Sequence, residues 1–289
     1  MPNHPDHKAI LHRHSLAPSR QRGQNFLIHR RTAELIVELA GVSENDRVIE
    51  LGVGFGALTG PLATRAAKVI GLEIDSGIIA WHQQEQDLPS NVTLRHEDLL
   101  KSNFPLLAKE TGGPLKIVAN LPYSISNPLL FKLVENRAIV ESAVLMLQKE
   151  VGQRLMAKPS SKEYGILTVL LNGYATVKKL MDIGPEQFHP RPKVDSVVVK
   201  ITFLPVPDRT ASLPLHNHEI LKQLIKAAFQ QRRKTLLNSL SVSGLPGTDK
   251  KDLPTLLKRV SISPQDRPER LTIEDFVKIT NALEINQNS

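Results

Sequence analysis

Apolar positions along this chain alternate between two patterns. Thr32 to Ala40 is amphipathic at helical spacing and stops at Gly41. Arg47 to Leu51 is a strand running into Gly52-Val53-Gly54-Phe55-Gly56-Ala57, and Leu58 to Ala66 is helical again. A second strand, Lys68 to Ile74, passes through Glu73 and is followed by Asp75. Strands near Val92 to Arg95, Leu115 to Ala119 and Ala143 to Leu147 follow, with helical segments between them. Such alternation predicts an α/β fold, a parallel sheet with helices on both faces. Ligands then bind beyond the carboxyl ends of the strands. Tyr174 to Lys179 and Val194 to Phe203 read as two further strands, an antiparallel hairpin closing the sheet edge.

The pattern changes after residue 203. Leu204 to Pro214 carries three prolines and reads as a linker. Beyond it only helical spacing recurs, over His218 to Ser239, Leu253 to Val260 and Ile273 to Leu283. Thr272, with Glu274 and Asp275 after it, marks the start of the last of these, acids lying near the positive end of the helix. The division expected is a basic, flexible tail over 1–21, an α/β domain over 22–204 and a small all-helical domain over 205–289.

Composition narrows the class. The chain has 289 residues, 40% hydrophobic and 23% charged, enough for a sizeable core. No apolar run approaches the ~18 residues of a spanning helix, so no membrane partner is expected. Cysteine is absent, which excludes disulfides, thiolate metal sites and Cys nucleophiles and suits a cytoplasmic location. The net charge of +8 is unevenly placed: net +5 over residues 1–31, net −1 over 32–204 and net +4 over 205–289. A near-neutral body with basic flanks favours a polyanionic partner. The tail lacks the apolar core of a secretory signal. Its His4, His7, His12 and His14 have no acidic companions of the kind metal sites use, and no metal site is expected.

The most chemically specific stretch is Asn120-Leu121-Pro122-Tyr123-Ser124-Ile125-Ser126, just after an apolar strand. Pro122 fixes its own φ and pushes Leu121 towards an extended conformation, so the Asn120 amide and nearby carbonyls are held in one direction. Tyr123 offers a face for stacking. Such a loop can grip a flat, amine-bearing base, although the same residues also suit an ordinary strand-to-helix turn. Gly52, Gly54 and Ala57 satisfy the dinucleotide pattern, and Glu73 lies 21 residues after Gly52, where an acid meets a ribose. The loop suits NAD and S-adenosylmethionine alike. Asp98, at the end of the third strand, is placed to accept from an adenine amino group, and Asn120 ends the fourth, where the transferred group would be. A dehydrogenase needs a proton donor or acceptor there, usually His or Lys. That difference tips the balance towards methyl transfer.

Five motifs, in order, resemble those of the ribosomal RNA adenine N6-dimethyltransferase family of the small-subunit type. They are Gly23-Gln24-Asn25-Phe26-Leu27, the cofactor loop Glu50 to Thr59, the loop Asn120 to Ser126, Phe188-His189-Pro190-Arg191-Pro192-Lys193-Val194-Asp195-Ser196, and Ala228 to Leu236 with Arg232-Arg233-Lys234. The resemblance covers about residues 20–289. Val53 departs from it, standing where the family usually has Pro, and so does Arg22, where an apolar residue is common. The resemblance implies a Rossmann-like class I S-adenosylmethionine-dependent methyltransferase domain. It also implies a cytoplasmic, monomeric enzyme that dimethylates two adjacent adenosines near the 3′ end of small-subunit (16S) ribosomal RNA within a pre-ribosomal particle. By position, Asn25, Leu27, Gly52 and Gly54 would close over the cofactor, Glu73 would take the ribose and Asp98 the adenine. Asn120 would face cofactor and target base, with the Leu121 carbonyl, Pro122 and Tyr123 completing the catalytic loop. Lys222, Lys226, Gln230 and Arg233 recur at spacings that bring them near one another on a helix, and with Arg232 and Lys234 they would form a phosphate-binding face. Three other readings stay open: a large-subunit rRNA adenine methyltransferase, an NAD-dependent oxidoreductase, and a non-catalytic ribosome assembly factor.

Overall fold

The computed structural model describes residues 24–231 and 233–287. The tail 1–21, Arg22, Gly23 and Arg232 lie outside them. The described chain divides into two units, one reaching to Gly152 and including Thr176–Pro205, the other comprising Gln153–Ala175 and the residues from Val206 onward.

The first unit is built on a seven-stranded sheet. Its strands are β2 (Arg47–Leu51), β3 (Lys68–Glu73), β4 (Val92–His96), β5 (Leu115–Asn120), β6 (Val140–Gln148), β7 (Thr176–Ile183) and β9 (Ser196–Thr202), in the order β4-β3-β2-β5-β6-β9-β7. Neighbours from β4 to β6 pair parallel; β9 pairs antiparallel with both β6 and β7. The expected antiparallel pair is therefore present, with β7 outermost, but Tyr174 is not part of it. Tyr174 ends a helix, and the strand begins at Thr176. Val48, Ile49, Leu51, Val69, Leu72, Ile117, Val144 and Leu145 are all buried, as a sheet covered on both faces requires.

The helices of this unit that matter for the site are α1 (Arg30–Ala40), α2 (Thr59–Arg65), α3 (Ser76–Glu85), α4 (Phe104–Thr111) and α5 (Ser126–Glu135). α1 buries Ala33, Ile36, Val37 and Ala40 and ends on Gly41, whose φ of 72° closes the last turn. Asp75 caps α3, its carboxylate accepting from the Gly77 and Ile78 amides. A short strand β1 (Phe26–Leu27) pairs antiparallel with β8 (Phe188–His189), tying the first motif to the fourth. A further helix, α6 (Lys149–Leu155), follows β6 directly.

The second unit is helical. α7 (Ile166–Tyr174) contacts α9 (His218–Gln230) and α12 (Ile273–Gln287), with α8 (Asp208–Ser212), α10 (Leu236–Leu240) and α11 (Leu253–Arg259) around them. Segment 153–175, expected inside the 22–204 domain, thus clusters with the C-terminal helices. The cause is composition: Ile166 to Tyr174 is apolar almost all round, and a helix of that kind must be buried on every side. Gly173 permits this closeness, since a Cβ there would lie 2.8 Å from Ile273 Cγ1. The expected linker 204–214 also contains a helical turn, α8, whose Arg209 pairs with Glu274 at 2.8 Å and holds that carboxyl down at about 2. Thr272 and Asp275 cap α12 reciprocally, each side chain accepting from the other's amide. The expected single helix over His218 to Ser239 is two, because α9 stops at Gln230 and Thr235 caps α10.

Candidate functional site

Sheet order decides where a site can form. β2 is the first strand of the parallel set; β3 and β4 are added on one side of it and β5 and β6 on the other, so the chain leaves β2 and β5 on opposite faces. Beyond the carboxyl ends of two such strands lies a crevice. In it is a cavity of about 290 Å³, lined by Asn25, Leu27, Gly52, Gly54, Glu73, Asp98 and Asn120 among others. All seven residues expected to hold a cofactor line this one cavity. Pro122 lines it too, while Leu121 and Tyr123 do not.

The glycine loop follows β2 with Gly52, Gly54 and Gly56 all at positive φ, a path that side chains disfavour. A Cβ on Gly54 would stand 3.1 Å from the Phe26 ring, and one on Gly52 3.6 Å from the Asn120 carbonyl oxygen. The loop is therefore gripped between β1 and the end of β5. Phe26, Phe55 and Trp81 form an aromatic wall beside it, with ring centroids 4.7 and 5.2 Å apart.

Glu73 is buried at the end of β3, and its carboxylate accepts three main-chain bonds: from Gly54 at 2.9 Å and from Ile74 and Asp75 at 2.8 Å each. It is both a cavity-facing acid and the pin that fixes the glycine loop. Asp98 accepts from the Leu100 amide at 2.9 Å, and the loop after it is clamped by Lys132 of α5, which donates to the Leu100 and Ser102 carbonyls. The Asn120 side-chain amide donates to the Asn25 carbonyl at 3.2 Å, which leaves the Asn120 carbonyl oxygen as the free acceptor. Tyr123 is half-buried in a short 3₁₀ turn with its hydroxyl 2.8 Å from Ser196 Oγ, so the ring is fixed by the motif that begins at Phe188. Burial raises the Tyr123 pKa, which keeps the phenol neutral.

Glu50 is a site residue that sequence reasoning named only as part of a motif. Its side chain lines the cavity, is 1% exposed and accepts from Thr59 Oγ1 at 2.7 Å. Burial, helped by the nearby Glu73 charge, pushes it up to about 8. The signal was an acid inside an otherwise apolar strand. A cationic guest would favour ionisation of this buried acid and an anionic one would oppose it, so the cavity suits a cation.

The expected RNA-binding residues are not collected on one helix face. Lys222 and Lys226 lie on α9, but Arg233 and Lys234 follow its end and are exposed in the turn before α10. The helix stops because Gln231 leaves helical geometry. Among the described residues no helix is long and apolar enough to cross a membrane. No cluster of three or more His, Asp or Glu among them could hold a metal.

A family model described as ribosomal RNA adenine dimethylase matches residues 18–284. The ribosomal RNA small subunit methyltransferase A of Desulfotalea psychrophila is 49% identical over 285 residues, spanning 96% of this chain and 95% of that protein. The like-named protein of Bacillus mycoides is 38% identical over 287 residues, spanning 98% and 97%. Among solved structures, a dimethyladenosine transferase from Plasmodium falciparum superposes with a TM-score of 0.71 at 29% identity, covering 90% of this chain and 96% of that one. The 23S rRNA methyltransferase ErmE gives 0.63 at 22% identity, covering 90% and 100%, a likeness of fold alone.

Proposed function

The chain belongs to the ribosomal RNA adenine dimethylase family, and on that premise we propose how its residues carry the reaction. The protein is an rRNA adenine dimethyltransferase, and its substrate is small-subunit ribosomal RNA, methylated at adenine N6. S-adenosylmethionine, when bound, supplies an electrophilic sulfonium methyl. The cavity suits that donor better than NAD. The Gly54 N–H, which a pyrophosphate would need, is already given to the Glu73 carboxylate. That bond is the observation that carries the cofactor assignment.

Glu73 accepts the ribose hydroxyls with the lone-pair capacity its three amides leave, Asp98 accepts from the adenine amino group, and Asn25, Leu27 and Gly52 enclose the rest. The target base leaves its stack and lies against Tyr123. Its amino nitrogen is a weak nucleophile because the lone pair is delocalised into the ring. The Asn120 carbonyl oxygen and the Leu121 main-chain carbonyl accept hydrogen bonds from its two N–H groups, letting the nitrogen pyramidalise towards the methyl. These bonds strengthen as positive charge grows on nitrogen, so they lower the barrier more than they stabilise the ground state. No side chain need remove a proton first. The exposed Arg233 and Lys234, with Arg232, Lys222 and Lys226, contact phosphates of RNA within a pre-ribosomal particle.

The test is direct. Small and large subunits from cells lacking the protein are each incubated with it and isotopically labelled S-adenosylmethionine, and the nucleosides are then analysed. N6-dimethyladenosine in small-subunit RNA, absent with Asn120→Ala, is expected. Label confined to large-subunit RNA, or none with the native chain, would overturn the assignment.

A further inference from the structure

No motif claims His82, yet its ring is buried beside the cofactor loop. It lies in the last turn of α3, with its side chain 1% exposed. Its Nδ1 is 2.7 Å from the Asp87 carboxylate and its Nε2 is 2.8 Å from the Gly54 carbonyl oxygen. A carboxylate and a carbonyl only accept. A neutral imidazole has one N–H, so one of these contacts would set lone pair against lone pair. Both are satisfied when the ring is imidazolium, or when Asp87 itself holds the second proton.

The Gly54 peptide is thereby gripped from two sides: its N–H by Glu73, its carbonyl by His82. We propose that His82 and Asp87 form a positioning dyad that holds the Gly54 peptide, and through it Glu73, in the arrangement that binds the cofactor. This rests on the cofactor reading given above. Asp87 orients the ring, the ring fixes the glycine loop, and the loop presents the ribose-binding acid. Without the ring, Gly54 is free to turn and Glu73 loses one of its three main-chain donors, so cofactor affinity falls.

The charged groups facing the ring are acidic. Asp87 approaches from the loop after α3, and Glu73 stands behind Gly54. Glu50 is held by Thr59 next to Gly56, whose Cβ position is 3.6 Å from His82 Cε1; Glu85 on the same helix is exposed. Glu50 and Glu73 line the cavity, so they are poor probes of the dyad; Asp87 does not line it. Trp81, the single tryptophan of the chain, has its ring 4.5 Å from the His82 ring. The two rings are in contact, so Trp81 emission reports the placement of the His82 ring without a label.

Trp81 fluorescence of the full chain and calorimetric affinity for S-adenosylhomocysteine test the dyad. Asp87→Ala, which leaves the ring without its orienting partner, should change Trp81 emission and weaken affinity by about tenfold, the worth of one hydrogen bond, while the circular dichroism and melting temperature stay those of the native chain. Asp87→Glu, which restores a carboxylate, should recover most of both. His82→Ala should weaken binding to a similar extent, and adding Asp87→Ala to it should cost nothing further. An unchanged affinity in Asp87→Ala, or additive losses in the double variant, would overturn the dyad while leaving the cofactor reading intact. Absence of S-adenosylhomocysteine binding by the native chain would overturn the cofactor reading and this proposal with it.

Discussion

The Asn120 side-chain amide donates to the main-chain carbonyl of Asn25, 95 residues earlier in the chain, at 3.2 Å. One bond thus joins the first motif to the catalytic loop and sets which end of the Asn120 amide is offered as acceptor. Asn120→Ala should leave a folded protein and reduce methyl transfer on the order of 10² to 10³, the typical cost of losing one preorganised partner. Asn120→Asp should be at least as damaging, because a carboxylate would face the Asn25 carbonyl without a proton between them. Single-turnover rates on small subunits, with circular dichroism as the folding control, check both. Near-normal transfer by folded Asn120→Ala would sink the proposed role.

Glu50 makes a pH prediction for the ligand-free protein. Its folded pKa, raised to about 8 from an ordinary 4.5, means that the native state holds a proton the unfolded chain has released between those values. Stability from this group therefore falls as pH rises through that window, by up to about 1.4 kcal/mol per pH unit. Glu50→Gln keeps the Thr59 bond and carries no charge, so its stability relative to the native chain should improve steadily from pH 5 to pH 8. Urea titrations of both proteins at four pH values measure this. A difference that stays constant with pH would mean that Glu50 is ionised in its site.

Gly71 lies in the middle of β3, where a Cβ would come within 2.5 Å of Val53 Cγ2. Val53 is in the glycine loop and is itself buried, so a clash there displaces the loop. Gly71→Ala should lower stability by about 1–3 kcal/mol, the usual cost of overpacking, and should weaken S-adenosylhomocysteine binding. Adding Val53→Ala should restore much of both. If the double variant binds no better than Gly71→Ala, the contact is not what sets the loop.

The basic turn after α9 is testable through salt. Neutralising Arg232, Arg233 and Lys234 together should weaken binding to small subunits and flatten its salt dependence by roughly 0.7 to 0.9 slope units for every phosphate that the variant no longer neutralises. Cofactor affinity should be unchanged. An unaltered salt slope would mean that other residues hold the phosphates, with the basic stretch from Arg13 to Arg31 the next candidate.

Much of the cofactor site is visible in the order of residues along the chain because parallel strands end on the same edge. Gly52 follows β2, Glu73 ends β3, Asp98 follows β4 and Asn120 ends β5. Once the alternation of helix and strand is recognised, their convergence needs no long-range information. The helical unit was less visible. The all-round apolarity of Ile166 to Tyr174 says that the helix is buried but not against what; packing against α9 and α12 decided that it belongs with the C-terminal helices. Arg233 has helical spacing from Lys222 and Lys226, but spacing cannot see where the backbone leaves the helix, and that point came at Gln231. The state of Glu50 and the partners of His82 were also beyond local reading. A carboxyl is driven upward by what surrounds it, here burial away from water and Glu73 on the neighbouring strand. An imidazole is positioned by acceptors from any part of the chain, here a carbonyl 28 residues earlier. Periodicity is a property of neighbours in sequence and determines the elements; burial, charge and hydrogen-bond partners belong to neighbours in space, and only tertiary packing chooses those.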